Sequence, residues 1–163
     1  MKTIRRIKLG EGMLYKAIRL RALGDAPEAF GSSLEDALLR SEESWHVQAD
    51  QSAKGSARAT FFAMQNDQPV GLAALYQHDN SEDTTELIQM WVAPESRSYG
   101  TAKILLDHAF AWAKENGYSR IQAEVVPSNT HALRFYKRYG FTEITQPSTH
   151  TDDGIILEHT LPH

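Results

Sequence analysis

The segment from Val92 to Ala102 is the part of the sequence best suited to chemistry, because it places small residues between a strand pattern and a helix pattern. Ser98, Gly100 and Ala102 alternate through this segment. Arg97 adds a fixed positive charge beside them. A helix start exposes unpaired N–H groups and the positive end of the helix dipole, so it favours anions. The segment therefore predicts a phosphate-binding turn; its other interpretation is an ordinary strand-to-helix connection with a capping glycine.

A second informative block lies further along the chain, from Glu124 to Phe141. In the first block, the residues that match the pattern V-x-P-x-x-[RQ]-G-x-G-x-[GA] are Val92, Pro94, Arg97, Gly100 and Ala102. In the second block, the residues that match N-x-x-A-x-x-[LF]-Y-x-x-x-G-F are Asn129, Ala132, Phe135, Tyr136, Gly140 and Phe141. Because both blocks are correctly ordered and spaced, the sequence resembles the GNAT superfamily of acyl-CoA N-acyltransferases. Ser98 stands where that family usually has glycine, but serine keeps its N–H group and we expect the turn to survive.

The hydrophobic pattern predicts how these blocks are positioned. Predicted strands cover 3–7, 60–64, 70–76, 87–92, 121–126, 141–145 and 155–160. A first predicted helix starts near residue 14, and the other predicted helices cover 34–47, 100–116 and 130–139. The central strand-helix-strand unit requires a parallel pair with a crossover helix, and the hairpins require antiparallel pairs. We therefore predict an α/β (α+β) fold: a mixed, mostly antiparallel sheet of about six to seven strands with about four helices. No linker or repeat divides the chain, so we expect a single domain over 1–163.

Composition excludes several other classes of protein. The chain has no cysteine, which excludes disulfides, thiolate metal sites and a cysteine nucleophile. His78, His131 and His150 are scattered, and we expect no metal. A net charge of −4 without a clustered basic face argues against nucleic acid as a partner. There is no apolar run of about 20 residues and no apolar signal segment, so we expect a cytoplasmic protein without a membrane partner.

The resemblance implies that the central parallel pair is splayed to hold acetyl-CoA, which is the acyl donor. The pantetheine arm would lie between strands 87–92 and 121–126, and the pyrophosphate would lie on the N–H groups of the glycine-containing turn. The implied cofactor-binding residues are Met90, Val92, Arg97, Ser98, Tyr99, Gly100, Thr101, Ala102 and Asn129. Asn129 is expected to cap a helix and hold the coenzyme arm rather than to react.

The resemblance also implies which residues act in catalysis. Tyr136 occupies the family's position for the acid that protonates the coenzyme A thiolate; its alternative is a core aromatic. Glu124 is our leading candidate for the base that deprotonates the amine, and Glu86 is the competitor. Each glutamate has the alternative of being a polar residue on a solvated strand face. A backbone N–H within 90–92 would polarise the thioester carbonyl.

The acceptor cannot be identified from the sequence. Phe30, Glu86 and Trp91 are candidate substrate-binding residues, and Trp91 has the alternative of a packing role. We expect an acetyl-CoA-dependent N-acetyltransferase that acts on a primary amine of a small molecule or peptide. The alternative is a non-catalytic acyl-CoA-binding regulatory domain on the same fold. The sequence does not decide whether other acyl groups are used, and the resemblance is compatible with a homodimer.

Overall fold

The computed structural model describes residues 2–26, 33–77, 82–97, 100–145 and 154–162. In chain order its elements are β1 (Lys2–Arg6), α1 (Gly12–Asp25), α2 (Leu34–Leu38), α3 (Glu42–Gln51), β2 (Arg58–Gln65), β3 (Gln68–Gln77), β4 (Thr84–Val92), α4 (Thr101–Glu115), β5 (Arg120–Val125), α5 (Thr130–Tyr139), β6 (Thr142–Ile144) and β7 (Ile155–Thr160). A short 3-10 turn, Pro94–Ser96, follows β4. Within these described ranges, no helix is long and apolar enough to cross a membrane.

All seven strands form one sheet in the order β1-β2-β3-β4-β5-β7-β6. Every neighbouring pair in this sheet is antiparallel except β4 and β5, which run parallel. The helix α4 is the crossover between these two strands, as a parallel connection requires. The predicted fold class, a mixed and mostly antiparallel sheet with a central parallel pair, is confirmed.

The helical region before β2 differs from the prediction of one helix over 34–47. The structure has two helices there, α2 and α3, and α3 continues to Gln51. Ser41 begins the second helix, because its side chain accepts a hydrogen bond from the Ser44 amide at 3.2 Å. Ser41 is therefore a helix start rather than a position on a continuous helix.

The helix α1 buries one face against the rest of the protein. The helical spacing of Leu14, Ala17, Ile18 and Arg21 indicates a helix here, but it does not mark the buried face, because Ala17 and Arg21 are exposed. The residues that α1 buries are Gly12, Tyr15, Ile18, Arg19, Ala22 and Leu23. This face offers a larger apolar area because it includes the Tyr15 ring, and it buries a charged residue that an apolar pattern does not reveal.

The helices lie on the two faces of the sheet. An added Cβ on Gly71 of β3 would lie 3.1 Å from a methyl carbon of Leu105, so α4 packs closely on that face. Phe110 of α4 contacts Tyr139 of α5, with ring centroids 5.0 Å apart, so α5 lies on the same side. Side chains alternate along a strand, so Leu72 and its register partner Trp91 point to the other face, where α1 packs.

A bulge interrupts β4 near its centre. Ala74 lies opposite Ile88 and Leu72 lies opposite Trp91, so two residues of β4, Gln89 and Met90, share the space opposite one residue of β3. Gln89 has a φ of 59°, which is uncommon for a residue other than glycine. The buried Tyr15 hydroxyl of α1 donates to the Gln89 side-chain oxygen at 3.0 Å. The bulge is therefore held from the α1 face.

Pairing between β4 and β5 covers only four register positions, from Thr84 opposite Arg120 to Leu87 opposite Ala123. Beyond this point β4 stays paired with β3, and β5 stays paired with β7 as far as Val125. Since each strand keeps its other neighbour, the two strands separate. We call the opening between 88–92 and 124–125 the cleft. The predicted splay of the parallel pair is confirmed.

Candidate active site

A row of polar side chains crosses the sheet on the α1 face, just before the cleft. Tyr76, Glu86, Gln122 and Glu158 occupy neighbouring register positions on four adjacent strands. The Tyr76 hydroxyl donates to the Glu86 carboxylate, which is only 4% exposed. The Gln122 amide donates to Glu158 at 2.9 Å. Glu86 is therefore held inside the paired part of the sheet, at the inner end of the cleft.

Glu124 lies on the same face, because it follows Gln122 by two residues on β5. It is the first residue of β5 beyond the last pair with β4. Its register partner is Ile156 of β7, and its side chain is half-buried. Glu124 thus stands at the edge of the cleft. Both carboxylates that the sequence predicted as candidate bases are on the α1 face.

Tyr136 belongs to α5, on the opposite face of the sheet. Its ring is buried and packs against Phe141, with centroids 5.3 Å apart, and against Phe135 at 5.4 Å. Burial raises the pKa of the Tyr136 hydroxyl well above its ordinary value. The hydroxyl is therefore neutral, and able to donate a proton, at every physiological pH.

The turn between β4 and α4 has an open left-handed glycine. Gly100 is the N-cap of α4 with a φ of 77°, and an added Cβ there would meet no atom within 4 Å. The helix has neither a side-chain cap nor an acidic residue in its first turn. Thr101 is buried, and its hydroxyl donates to the Ser96 carbonyl at 3.1 Å. The first amides of α4, including that of the half-buried Ala102, have no side-chain cap, and the space at Gly100 beside them is open.

The Arg97 guanidinium points back toward α1. Its Nε donates to the Val92 carbonyl at 2.9 Å, and its Nη2 donates to Asp25 at 2.5 Å. The Trp91 indole donates to the same Asp25 oxygen at 2.9 Å. The Trp91 indole and the Arg97 guanidinium hold the pKa of Asp25 below its ordinary value. Asp25 therefore ties the end of α1 to the turn, a role that its sequence context did not indicate.

The remaining predicted site residues are placed as follows. Asn129 caps α5, because its side-chain oxygen accepts from the Ala132 amide at 3.2 Å. Met90 lies in the bulge of β4, at the wall of the cleft. Phe30, Ser98 and Tyr99 lie outside the described residues. Across the described ranges, no group of three or more histidine, aspartate or glutamate residues is placed to hold a metal ion.

Besides Asp25, sequence reasoning missed three residues near the site. The Lys2 ammonium donates to the Thr101 hydroxyl at 2.8 Å, although the two residues are 99 positions apart. Arg19 is 5% exposed and lies one helical turn after Tyr15, and burial lowers the pKa of its guanidinium. Tyr15 itself holds the bulge. Only the spacing of Tyr15 and Arg19 on one helix face was readable from the sequence.

Comparison with known proteins agrees with this geometry. A sequence profile of the Acetyltransferase (GNAT) family matches residues 22–141. The chain is 29% identical over 135 residues to the mycothiol acetyltransferase of Thermobispora bispora, covering 80% of this chain and 43% of that protein. The chain spans less than half the length of the curated relatives that it matches.

Solved structures share the fold at low sequence identity. A GNAT-family acetyltransferase from Streptococcus pneumoniae superposes with a TM-score of 0.83 at 16% identity, covering 99% of this chain and all of the other. N-acetylglutamate synthase from Neisseria gonorrhoeae, solved with coenzyme A and N-acetyl-glutamate, gives 0.73 at 21% identity, covering 100% of this chain and 36% of that one. With the profile extending from α1 to the end of α5, the chain belongs to the Acetyltransferase (GNAT) family.

Proposed function

We propose that this protein transfers an acetyl group from acetyl-CoA directly to a primary amine of a small molecule or peptide. The observation that carries the proposal is the cleft, where β4 and β5 separate beside a bulge and in front of an open helix start. The proposal includes a single acetyltransferase domain over 1–163 that works in the cytoplasm as a soluble enzyme.

The cleft and the turn suit the two halves of acetyl-CoA. An extended pantetheine arm needs backbone partners, and a strand that has lost its neighbour supplies them. The Val92 carbonyl already accepts from Arg97, so we assign the first contact of the arm to Met90 in the bulge. The pyrophosphate would bind the amides from Gly100 to Ala102, because the space beside Gly100 is open and these amides carry the positive end of the α4 dipole.

One face of the sheet would supply the base that takes a proton from the amine, and the other face would supply the acid that gives a proton to the thiolate. An ammonium with a pKa of about 10.4 must lose a proton before it attacks. Glu124, on the α1 face at the edge of the cleft, would take that proton. As the new C–N bond forms and the C–S bond breaks, Tyr136 would give its proton to the thiolate from the other face. A backbone N–H in the bulge, near Met90, would stabilise the carbonyl oxygen as it becomes negative.

The acceptor would enter from the α1 face, where Glu86 and Trp91 lie. Two similar proteins have names that refer to different products or substrates: one is a mycothiol acetyltransferase and the other is an N-acetylglutamate synthase. Because the family's proteins differ in this way, a panel of amines is the appropriate test. Release of free coenzyme A thiol, measured with each amine, detects turnover. Acetyl-CoA binding without turnover on any amine supports the non-catalytic alternative.

Replacing Gly100 with valine should weaken acetyl-CoA binding. A β-branched residue at a φ of 77° is strained, and its side chain would fill the open space in front of the α4 amides. Gly117, at the other end of α4 with a φ of 84° and equally open space, provides the matched control. Each valine should cost about 1–2 kcal/mol of stability. Calorimetry should show lost affinity only for Gly100→Val; equal affinities in the two variants contradict the assignment.

Replacing Glu124 with glutamine should lower kcat/KM by about 100-fold at neutral pH, since a general base is removed. Raising the pH should restore part of the rate, because more of the amine is then deprotonated in solution. Glu86→Gln keeps an oxygen that can accept from Tyr76 and is the comparison variant. Kinetics from pH 6 to about pH 9.5 decide the matter. If only Glu86→Gln shows this pattern, the two roles must be exchanged.

Replacing Tyr136 with phenylalanine should reduce kcat and leave acetyl-CoA affinity unchanged, because the proton moves only as the C–S bond breaks. A thiolate is a fair leaving group, so we expect a loss of about 100-fold. Tyr118→Phe is the control, since that hydroxyl donates to the Ser56 carbonyl at 2.5 Å, away from the cleft. A wild-type kcat in Tyr136→Phe would show that Tyr136 is a core aromatic and not the acid.

A further inference from the structure

The α4 start carries a positive side chain that comes from the far edge of the sheet. Lys2 is the first residue of β1, and its ammonium donates to the hydroxyl of Thr101, the first residue of α4, at 2.8 Å. The Thr101 hydroxyl in turn donates to the Ser96 carbonyl at 3.1 Å. The side chain of Lys2 is thereby fixed beside the turn that begins at Gly100.

The start of α4 is a position that favours a bound anion. The start of a helix carries the positive end of its dipole, and acidic residues are favoured there. The helices α2 and α3 follow this rule, with Glu35 and Asp36 in one first turn and Glu42 and Glu43 in the other. The first turn of α4 has no acidic residue. An anion bound at this point would contact both the Lys2 ammonium and the helix amides, and both favour it.

A buried hydroxyl in the same turn independently indicates a ligand. Ser96, whose carbonyl receives the Thr101 bond, is 1% exposed. Its own hydroxyl has no hydrogen-bond partner among the residues that the structure describes. A buried polar group without a partner is costly, and such groups are rare in folded proteins. A bound anion or its water shell at this turn supplies partners of the required kind.

The arginine of the turn is engaged elsewhere. Arg97 directs its guanidinium to Asp25 and to the Val92 carbonyl, on the α1 side of the turn. We propose that Lys2 is a phosphate-binding residue of the acetyl-CoA site and pairs with the pyrophosphate of the cofactor. This inference rests on the proposed function, and it adds a residue from β1, outside both sequence blocks, to the cofactor site.

The test is binding of acetyl-CoA to Lys2→Met, measured by calorimetry. A lost charge-assisted hydrogen bond should weaken affinity by about tenfold. Lys103→Met is the matched control, because Lys103 lies in the same first turn of α4 but pairs with Asp107 at 3.0 Å. Lys2→Arg should retain most of the affinity, since it keeps the charge. Wild-type affinity in Lys2→Met, or an equal loss in Lys103→Met, overturns the proposal.

Truncated cofactors identify the partner of Lys2. With 3′-dephospho-acetyl-CoA, which keeps the pyrophosphate, Lys2→Met should still lose about tenfold. With S-acetylpantetheine, which has no phosphate, the variant and the wild type should give equal kcat/KM. A loss that disappears with the dephosphorylated cofactor assigns Lys2 to the 3′-phosphate and overturns the pyrophosphate assignment. A loss that persists with S-acetylpantetheine shows a structural role and also overturns it.

Thermal unfolding of the free protein separates the two roles further. Lys2→Met removes the hydrogen bond to the Thr101 hydroxyl, so the Tm of each protein is first measured without ligand. The increase in Tm on adding acetyl-CoA should be smaller than in the wild type. An equal increase in Tm in the variant and in the wild type contradicts this account of Lys2. Failure of the wild-type protein to bind acetyl-CoA would instead contradict the proposed function itself.

Discussion

The end of hydrogen bonding between β4 and β5, after Leu87 and Ala123, is the constraint on which the rest of the site depends. Backbone N–H and C=O groups must find partners, so two adjacent strands separate only if each keeps its other neighbour. Here β3 holds β4 and β7 holds β5 beyond that point. The sheet thus opens at its centre without losing its continuity, and it leaves backbone groups available to a bound arm.

The helix α1 braces one wall of this opening. The Tyr15 hydroxyl holds Gln89 in the bulge, and Asp25 holds both the Trp91 indole and the Arg97 guanidinium. The bulge, the end of β4 and the turn before α4 are therefore attached to one helix. A ligand that moved the turn would act on α1 through Asp25, and α1 borders the face where we place the acceptor.

The sequence allowed the order of strands and helices along the chain, the crossover helix and the glycine at the start of α4 to be predicted, because these depend on local periodicity and on turn chemistry. The division of the predicted helix over 34–47 was missed, since the capping bond of Ser41 was not apparent from the sequence. Asp25 and Lys2 could not be found, because their partners lie 66 to 99 residues away and belong to no shared motif. Local patterns therefore give the elements, whereas the contacts that tie them together become visible only in three dimensions.

Hydrogen exchange with and without acetyl-CoA is the most direct test that the cleft is the cofactor site. Unpaired amides exchange readily, and a bound ligand protects those that it contacts. The account predicts slower exchange in two separate segments, Ile88 to Val92 and Gly100 to Ala102, with no change in the β6–β7 pair. Saturating acetyl-CoA that leaves both segments unchanged, or that protects only regions away from the cleft, would contradict the account.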